Sequence, residues 1–103
     1  MRERAPFLHI GVEEAETLLR RSETLVLDVR DAGSFAQTRI DGACNVAYAD
    51  LASVIGAVEK TRSILIYCYH GVASQEYAQV FSDFGFREVY SLDGGYETWA
   101  ARA

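Results

Sequence analysis

Ser63-Ile64-Leu65-Ile66-Tyr67-Cys68-Tyr69-His70-Gly71-Val72-Ala73-Ser74 begins with an apolar run that has no polar alternation. Such a run fits a strand buried on both faces of a parallel sheet. Gly71 lets the chain turn where side chains would obstruct it. The residues that follow place Tyr77, Ala78, Phe81 and Phe84 on one side of a helix, with Gly85 at its stop. Strand, loop and helix in that order form one unit of an α/β fold.

Units of the same kind lie on either side. Leu25-Val26-Leu27-Asp28-Val29 is a second apolar run, and Asp28 within it needs a partner. Glu88-Val89-Tyr90-Ser91-Leu92 reads as a strand that ends in a sharp turn, Asp93-Gly94-Gly95. A terminal helix from Tyr96 to Ala101 then docks Trp99 on the core. Upstream, Phe7-Leu8-His9-Ile10 reads as a short edge strand. Gly11 opens a helix with Val12, Ala15, Leu18 and Leu19 on one face, acids at its start (Glu13, Glu14) and a solvated end at Arg20 and Arg21. Between these lie a short helix around Gly33 to Gln37, a turn at Asp41-Gly42, a strand near Asn45-Val46-Ala47, and an Asp50-capped helix through Val58. The alternation predicts an α/β sandwich with a mainly parallel sheet.

The 103 residues match one domain, 1–103, of the common size of about 100 to 150 residues. Half of them are apolar and 24% are charged, which favours a packed core over disorder. Ten basic against fifteen acidic residues give a net charge of −5, which argues against nucleic acid as a partner. No apolar run reaches the roughly 18 residues of a membrane span. Met1-Arg2-Glu3-Arg4 leads into no secretory h-region, so a cytoplasmic monomer away from membranes is expected. Cys44 and Cys68 form no C-x-x-C pair and are too few for a disulfide framework or a structural zinc site. No metal and no cofactor is expected. Each cysteine is therefore either core or chemistry.

Ligands of open α/β sheets bind beyond the carboxyl ends of the strands, and Cys68 ends such a strand. If the loop from Tyr69 to Ser74 curves so that its N–H groups point inward, the nest and the helix start behind it stabilise a thiolate and an anion beside it. A helix terminus alone contributes about 0.3 to 2 kcal/mol, and one pKa unit is about 1.4 kcal/mol. Several amides must therefore act together, and loop geometry outweighs any one side chain. By position alone, the competing reading is a small buried thiol.

These residues carry a family resemblance. Cys68-Tyr69-His70-Gly71 with Ser74 resembles the active-site loop of rhodanese-type sulfurtransferases. Leu27-Asp28-Val29-Arg30-Asp31 with Phe35 resembles the family's D-x-R segment. Ile40-Asp41-Gly42-Ala43-Cys44-Asn45-Val46 resembles a second segment, with Arg39 where histidine is common. Leu92-Asp93-Gly94-Gly95-Tyr96-Glu97-Thr98-Trp99 resembles the closing signature. The resemblance implies a three-layer α/β/α sandwich with a sheet of four to five strands. It also implies a two-step reaction: Cys68 takes a sulfur from a small anionic donor such as thiosulfate, holds it as a persulfide, and yields it to cyanide or to a thiol such as that of thioredoxin. Tyr69, His70, Gly71, Val72, Ala73 and Ser74 would bind the donor, with Asp28 and Arg30 bracing the loop by hydrogen bonds.

Two departures bear on activity. Ala73 stands where the family often has a hydroxyl, and the loop contains no Lys or Arg, leaving His70 as its only potential cation. A cysteine phosphatase of related type needs an arginine at the end of a longer loop. Position 74 is Ser, and no arginine intervenes before Arg87. The alternative to an enzyme acting on free thiosulfate is a low-activity module that carries sulfur between proteins. Cys44 reads as a core thiol, His9 as structural or exposed, and Tyr96 and Trp99 as packing residues.

Overall fold

The computed structural model describes residues 6–21 and 23–102, so the Met1–Arg4 stretch lies outside the described residues. In chain order the elements are β1 (Leu8–Ile10), α1 (Val12–Leu19), β2 (Leu25–Asp28), α2 (Ala32–Gln37) and β3 (Cys44–Asn45). A 3-10 turn (Tyr48–Asp50) leads into α3 (Leu51–Ala57), and β4 (Ile64–Tyr67), α4 (Ala73–Asp83), β5 (Val89–Leu92) and α5 (Gly95–Ala100) complete the chain. The five strands form one sheet in the order β1-β5-β4-β2-β3, and every pairing is parallel. All carboxyl ends of the strands therefore lie along one edge.

β4 occupies the middle of the sheet, and Ile64, Leu65, Ile66 and Tyr67 have no exposed surface. Strand alternation divides them between two cores. Ile64 and Ile66 pack with Leu27, Val89 and the α3 and α4 residues Leu51, Ile55, Ala78 and Phe81. Leu65 and Tyr67 pack with Val26, Leu92 and the α1 and α5 residues Ala15, Leu18 and Trp99. This is the α/β/α sandwich that the family resemblance implied, and the uniform apolar run fits its sheet covered on both faces. No helix among the described residues is long and apolar enough to cross a membrane.

Local differences from the expected elements have identifiable causes. β3 is only two residues long and starts at Cys44, because the chain leaves the sheet after its Asn45 side chain has bonded the carbonyls of Asp28 and Arg30. Cys44 sits on this edge strand and is exposed, so it is not a core thiol. Phe84 stands just past the end of α4 and is 59% exposed instead of joining Phe81 in the core. Gly85, at φ +93°, terminates that helix as expected. Arg21 does not end in solvent alone: it donates to Glu23, Ser63 and Glu88, tying the end of α1 to the amino-terminal edge of the sheet.

Candidate active site

Cys68 is the first residue past β4, and its Sγ faces a loop that curls over it. The N–H groups of Gly71 and Ser74 donate to Sγ at 3.2 and 3.3 Å. Ser74 Oγ lies 3.4 Å from Sγ and 2.8 Å from Ser91 Oγ, a buried pair of hydroxyls in which Ser91 can donate to Ser74 and leave the Ser74 proton for the sulfur. Burial works against ionisation of Cys68. Hydrogen bonds from the Ser74 hydroxyl and from the amides of Ser74, Gly71 and His70 together outweigh it, holding the thiol below its ordinary value. The residue is 5% exposed, so the thiol is almost wholly enclosed by the protein.

The curl of the loop is set from below by α5. Tyr96 N–H donates to the carbonyl of Cys68 at 2.7 Å, and Glu97 N–H donates to that of Tyr69 at 3.1 Å. In a trans peptide the C=O and the next N–H point in opposite directions. Drawing the Tyr69 carbonyl toward α5 therefore turns the His70 amide toward the sulfur. The close approach requires two glycines. Gly71, at φ +87°, would place a Cβ 2.7 Å from Gly94 N, and Gly95, at φ +63°, would place one 2.5 Å from the Tyr69 carbonyl. The Asp93-Gly94-Gly95 turn is thus a clamp on the loop as well as the end of a strand.

Side chains around the cradle are held outward. Tyr69 donates from its hydroxyl to Asp31 Oδ1 at 2.7 Å and also meets Ser34 Oγ, joining the loop to the start of α2. The Tyr69 hydroxyl, with the amide and hydroxyl of Ser34, pushes the Asp31 carboxyl down to about 2. His70 Nδ1 lies 2.9 Å from Glu97 Oε1, and both side chains are largely exposed, so the imidazole rests on a carboxylate. Val72 is 74% exposed and Ala73 is exposed, so neither adds a polar side chain.

Asp28 and Arg30 are buried partners. Arg30 Nη2 lies 2.7 Å from Asp28 Oδ2, and the Arg30 N–H donates to Asp28 Oδ1 at 2.8 Å. The guanidinium also donates from Nε to both Asp28 oxygens and from Nη2 to the Thr38 carbonyl. The pair therefore makes no hydrogen bond to the Cys68 loop, contrary to the expected bracing. It supports the loop by stacking: the Arg30 guanidinium lies 4.2 Å from the Tyr96 ring centre and 5.6 Å from that of Tyr69. With Asp28 as its partner, Arg30 is not a phosphate fork.

Sequence reasoning missed Ser91 and the clamping role of Gly95 and Glu97. The signal for Ser91 was a hydroxyl within an otherwise apolar strand, since a buried hydroxyl requires a partner. Tyr96 and Trp99 pack as expected, while His9 is bonded to Asp93 at 3.2 Å at the surface. Among the described residues, no group of three or more His, Cys, Asp or Glu could hold a metal ion.

Comparison with known proteins places this architecture among characterised chains. Residues 11–102 match the rhodanese-like domain model. The thiosulfate sulfurtransferase GlpE of Shewanella oneidensis is 39% identical over 93 residues, covering 90% of this chain and 92% of that protein. GlpE of Coxiella burnetii is 41% identical over 88 residues, covering 85% and 82%. A crystal structure of a rhodanese-related protein from Thermoplasma volcanium superposes with a TM-score of 0.78 over 91% of each chain; at 21% identity it speaks for the fold alone.

Proposed function

The chain belongs to the rhodanese-like domain family, and from that premise we propose that Cys68 is the nucleophile of its reaction. The protein is a sulfurtransferase, an enzyme of the thiosulfate class. The observation that carries the assignment of Cys68 is the convergence of the Gly71 and Ser74 amides and the Ser74 hydroxyl on its sulfur.

The Cys68 thiolate attacks the outer sulfur of thiosulfate. The S–S bond of the donor breaks, sulfite leaves with the bonding electron pair, and Cys68 becomes a persulfide anion. Cyanide or a thiolate then takes the outer sulfur and restores the Cys68 thiolate. Charge is conserved in both steps. The negative charge moves from one sulfur to the next, so fixed N–H dipoles suit both the resting thiolate and the persulfide. The near-complete burial of Cys68 favours a donor that presents one sulfur at its tip. With no Lys or Arg in the loop, amides and the Ser74 hydroxyl supply the anion contacts at Tyr69–Ser74.

Incubation with thiosulfate followed by intact-mass measurement tests this reading. The protein is expected to gain the mass of one sulfur atom, and cyanide is expected to remove it. Loading by a persulfidated protein donor but not by thiosulfate would favour the sulfur-carrier reading instead.

Ala73 predicts a slow first step. A hydroxyl at position 73 would add a hydrogen bond to the charged outer sulfur, worth about 1.5 to 3 kcal/mol. If the bond acts in the transition state, Ala73→Ser speeds single-turnover loading about tenfold or more. Stopped-flow release of sulfite would show it; an unchanged or lower rate would mean that the Ser74 hydroxyl already meets the need.

A further inference from the structure

The two residues that follow Cys68 each place a side chain against a carboxylate, and the two pairs act in the same direction on a charged donor. The Tyr69 hydroxyl donates to Asp31 at 2.7 Å, and that carboxyl, pushed down to about 2, stays ionised. His70 Nδ1 lies 2.9 Å from Glu97 Oε1. With a protonated imidazole this second pair is neutral, and with an unprotonated one it carries one negative charge. Neither pair is ever positive.

Glu97 is held beside the loop at two points. Its N–H donates to the Tyr69 carbonyl at 3.1 Å, so the main chain and side chain of one residue are fastened to two successive residues of the loop. The carboxylate therefore keeps its charge there although 72% of the side chain is exposed. Arg30 and His9, which also lie by the carboxyl ends of the strands, have carboxylate partners of their own: Arg30 is closed off on Asp28 with 2% of its side chain exposed, and His9 meets Asp93 at 3.2 Å. Amide and hydroxyl dipoles suit a single negative charge on sulfur. A second full charge on the donor finds carboxylates around the loop and no cation within it.

We propose that Glu97 determines donor specificity: by occupying the one potential cation of the loop, it makes the Cys68 site select a singly charged sulfur donor, an organic thiosulfonate or a persulfide, over a doubly charged one. The proposal rests on the reading of Cys68 as the sulfur-accepting nucleophile. With a thiosulfonate, the Cys68 thiolate attacks the outer sulfur, the donor S–S bond breaks, and a sulfinate leaves with the bonding electron pair. With a persulfide, the leaving group is a thiolate. In both cases Cys68 becomes the persulfide anion, one negative charge enters with the donor, and one departs with the product. No external oxidant or reductant is consumed.

The test compares methanethiosulfonate with thiosulfate, which present the same terminal sulfur with one charge and with two. Second-order rate constants for loading are read from the gain of one sulfur in intact mass. In the wild type, the thiosulfate constant is expected to rise more steeply with ionic strength, because salt screens a like-charge encounter more strongly for the larger charge. A charge about 8 Å away in water alters the rate about twofold for a singly charged donor and about fivefold for a doubly charged one. At low salt Glu97→Gln should raise the two constants by those factors and so narrow the preference. Glu97→Asp keeps the charge and should retain the wild-type ratio. Glu59→Gln, on the loop before β4 at the opposite edge of the sheet, should change neither constant. Equal factors for the two donors, a fall in the thiosulfate constant of Glu97→Gln, or the same response in Glu59→Gln would overturn the proposal. Loading by neither donor would remove the reading of Cys68 as the nucleophile. Loading by both without a charge-dependent response to Glu97→Gln would remove the selection alone.

Discussion

Cys68→Ser is expected to abolish the persulfide adduct and lower thiosulfate-to-cyanide turnover by more than about a thousandfold, because a serine hydroxyl stays protonated where the thiol ionises. The substitution is nearly isosteric. The serine oxygen can accept the same Gly71 and Ser74 amides, so the fold should persist with little change in Tm. Cys44 is the only other cysteine in the sequence. It is exposed on the edge strand, outside the cradle, so Cys44→Ser should leave turnover within about twofold of wild type. Cyanide-dependent thiocyanate formation checks both variants. Substantial turnover by Cys68→Ser would show that sulfur passes by another route.

Gly95→Ala is expected to be the most damaging substitution away from the nucleophile. The added methyl group would lie 2.5 Å from the Tyr69 carbonyl and 2.6 Å from that of Cys68, at φ +63°. Both atoms are main chain, so neither can swing aside. The left-handed backbone costs an L-residue about 1 to 2 kcal/mol, and the overlap adds about 1 to 3 kcal/mol. A total near 3 kcal/mol lowers Tm by roughly 15 °C in a chain of this size. The loop would have to rise from α5, carrying the amides off the sulfur, so turnover should fall as well. Gly42→Ala is the control: its φ is +82° with no atom within 4 Å of the new Cβ, so only the backbone cost of about 1 to 2 kcal/mol applies. Calorimetry on the two variants separates strain from collision. Wild-type stability and turnover in Gly95→Ala would refute the clamp.

The central architecture was legible because β4 and, up to Asp28, β2 are apolar without alternation, a pattern that fits strands of a sheet covered on both faces. The position of Cys68 followed from the same run, and Gly71 marked the turn beside it. What could not be read was anything that depends on contact between distant segments. Cys44 looked like a core residue because it stands beside Ala43 on a short strand; its exposure comes from the place of β3 at the sheet edge, which is set by strand order. Phe84 fits the helical spacing of α4, but the helix ends one residue earlier, at Asp83. Asp28 was read as needing a partner and, with Arg30, as bracing the loop by hydrogen bonds; that the two pair with each other, and that Arg30 stacks between Tyr69 and Tyr96, joins segments that no local pattern connects. Ser74 was legible as a loop residue, but its hydroxyl lies between the sulfur and Ser91 only because β5 runs beside the start of α4.

Ionisation of Cys68 is the property from which the chemistry follows, and titration of the protein's ultraviolet thiolate absorbance, with the Cys68→Ser signal subtracted, measures it directly. The folded thiol has a lowered pKa, so the thiolate forms as pH rises through a value below that of an ordinary cysteine, and sulfur loading should reach its plateau over the same range. Ser74→Ala removes one of the hydrogen bonds and should move the midpoint upward. A midpoint below that of free cysteine that rises in Ser74→Ala is the expected result; a midpoint at or above that of free cysteine, unmoved by the substitution, would contradict the account.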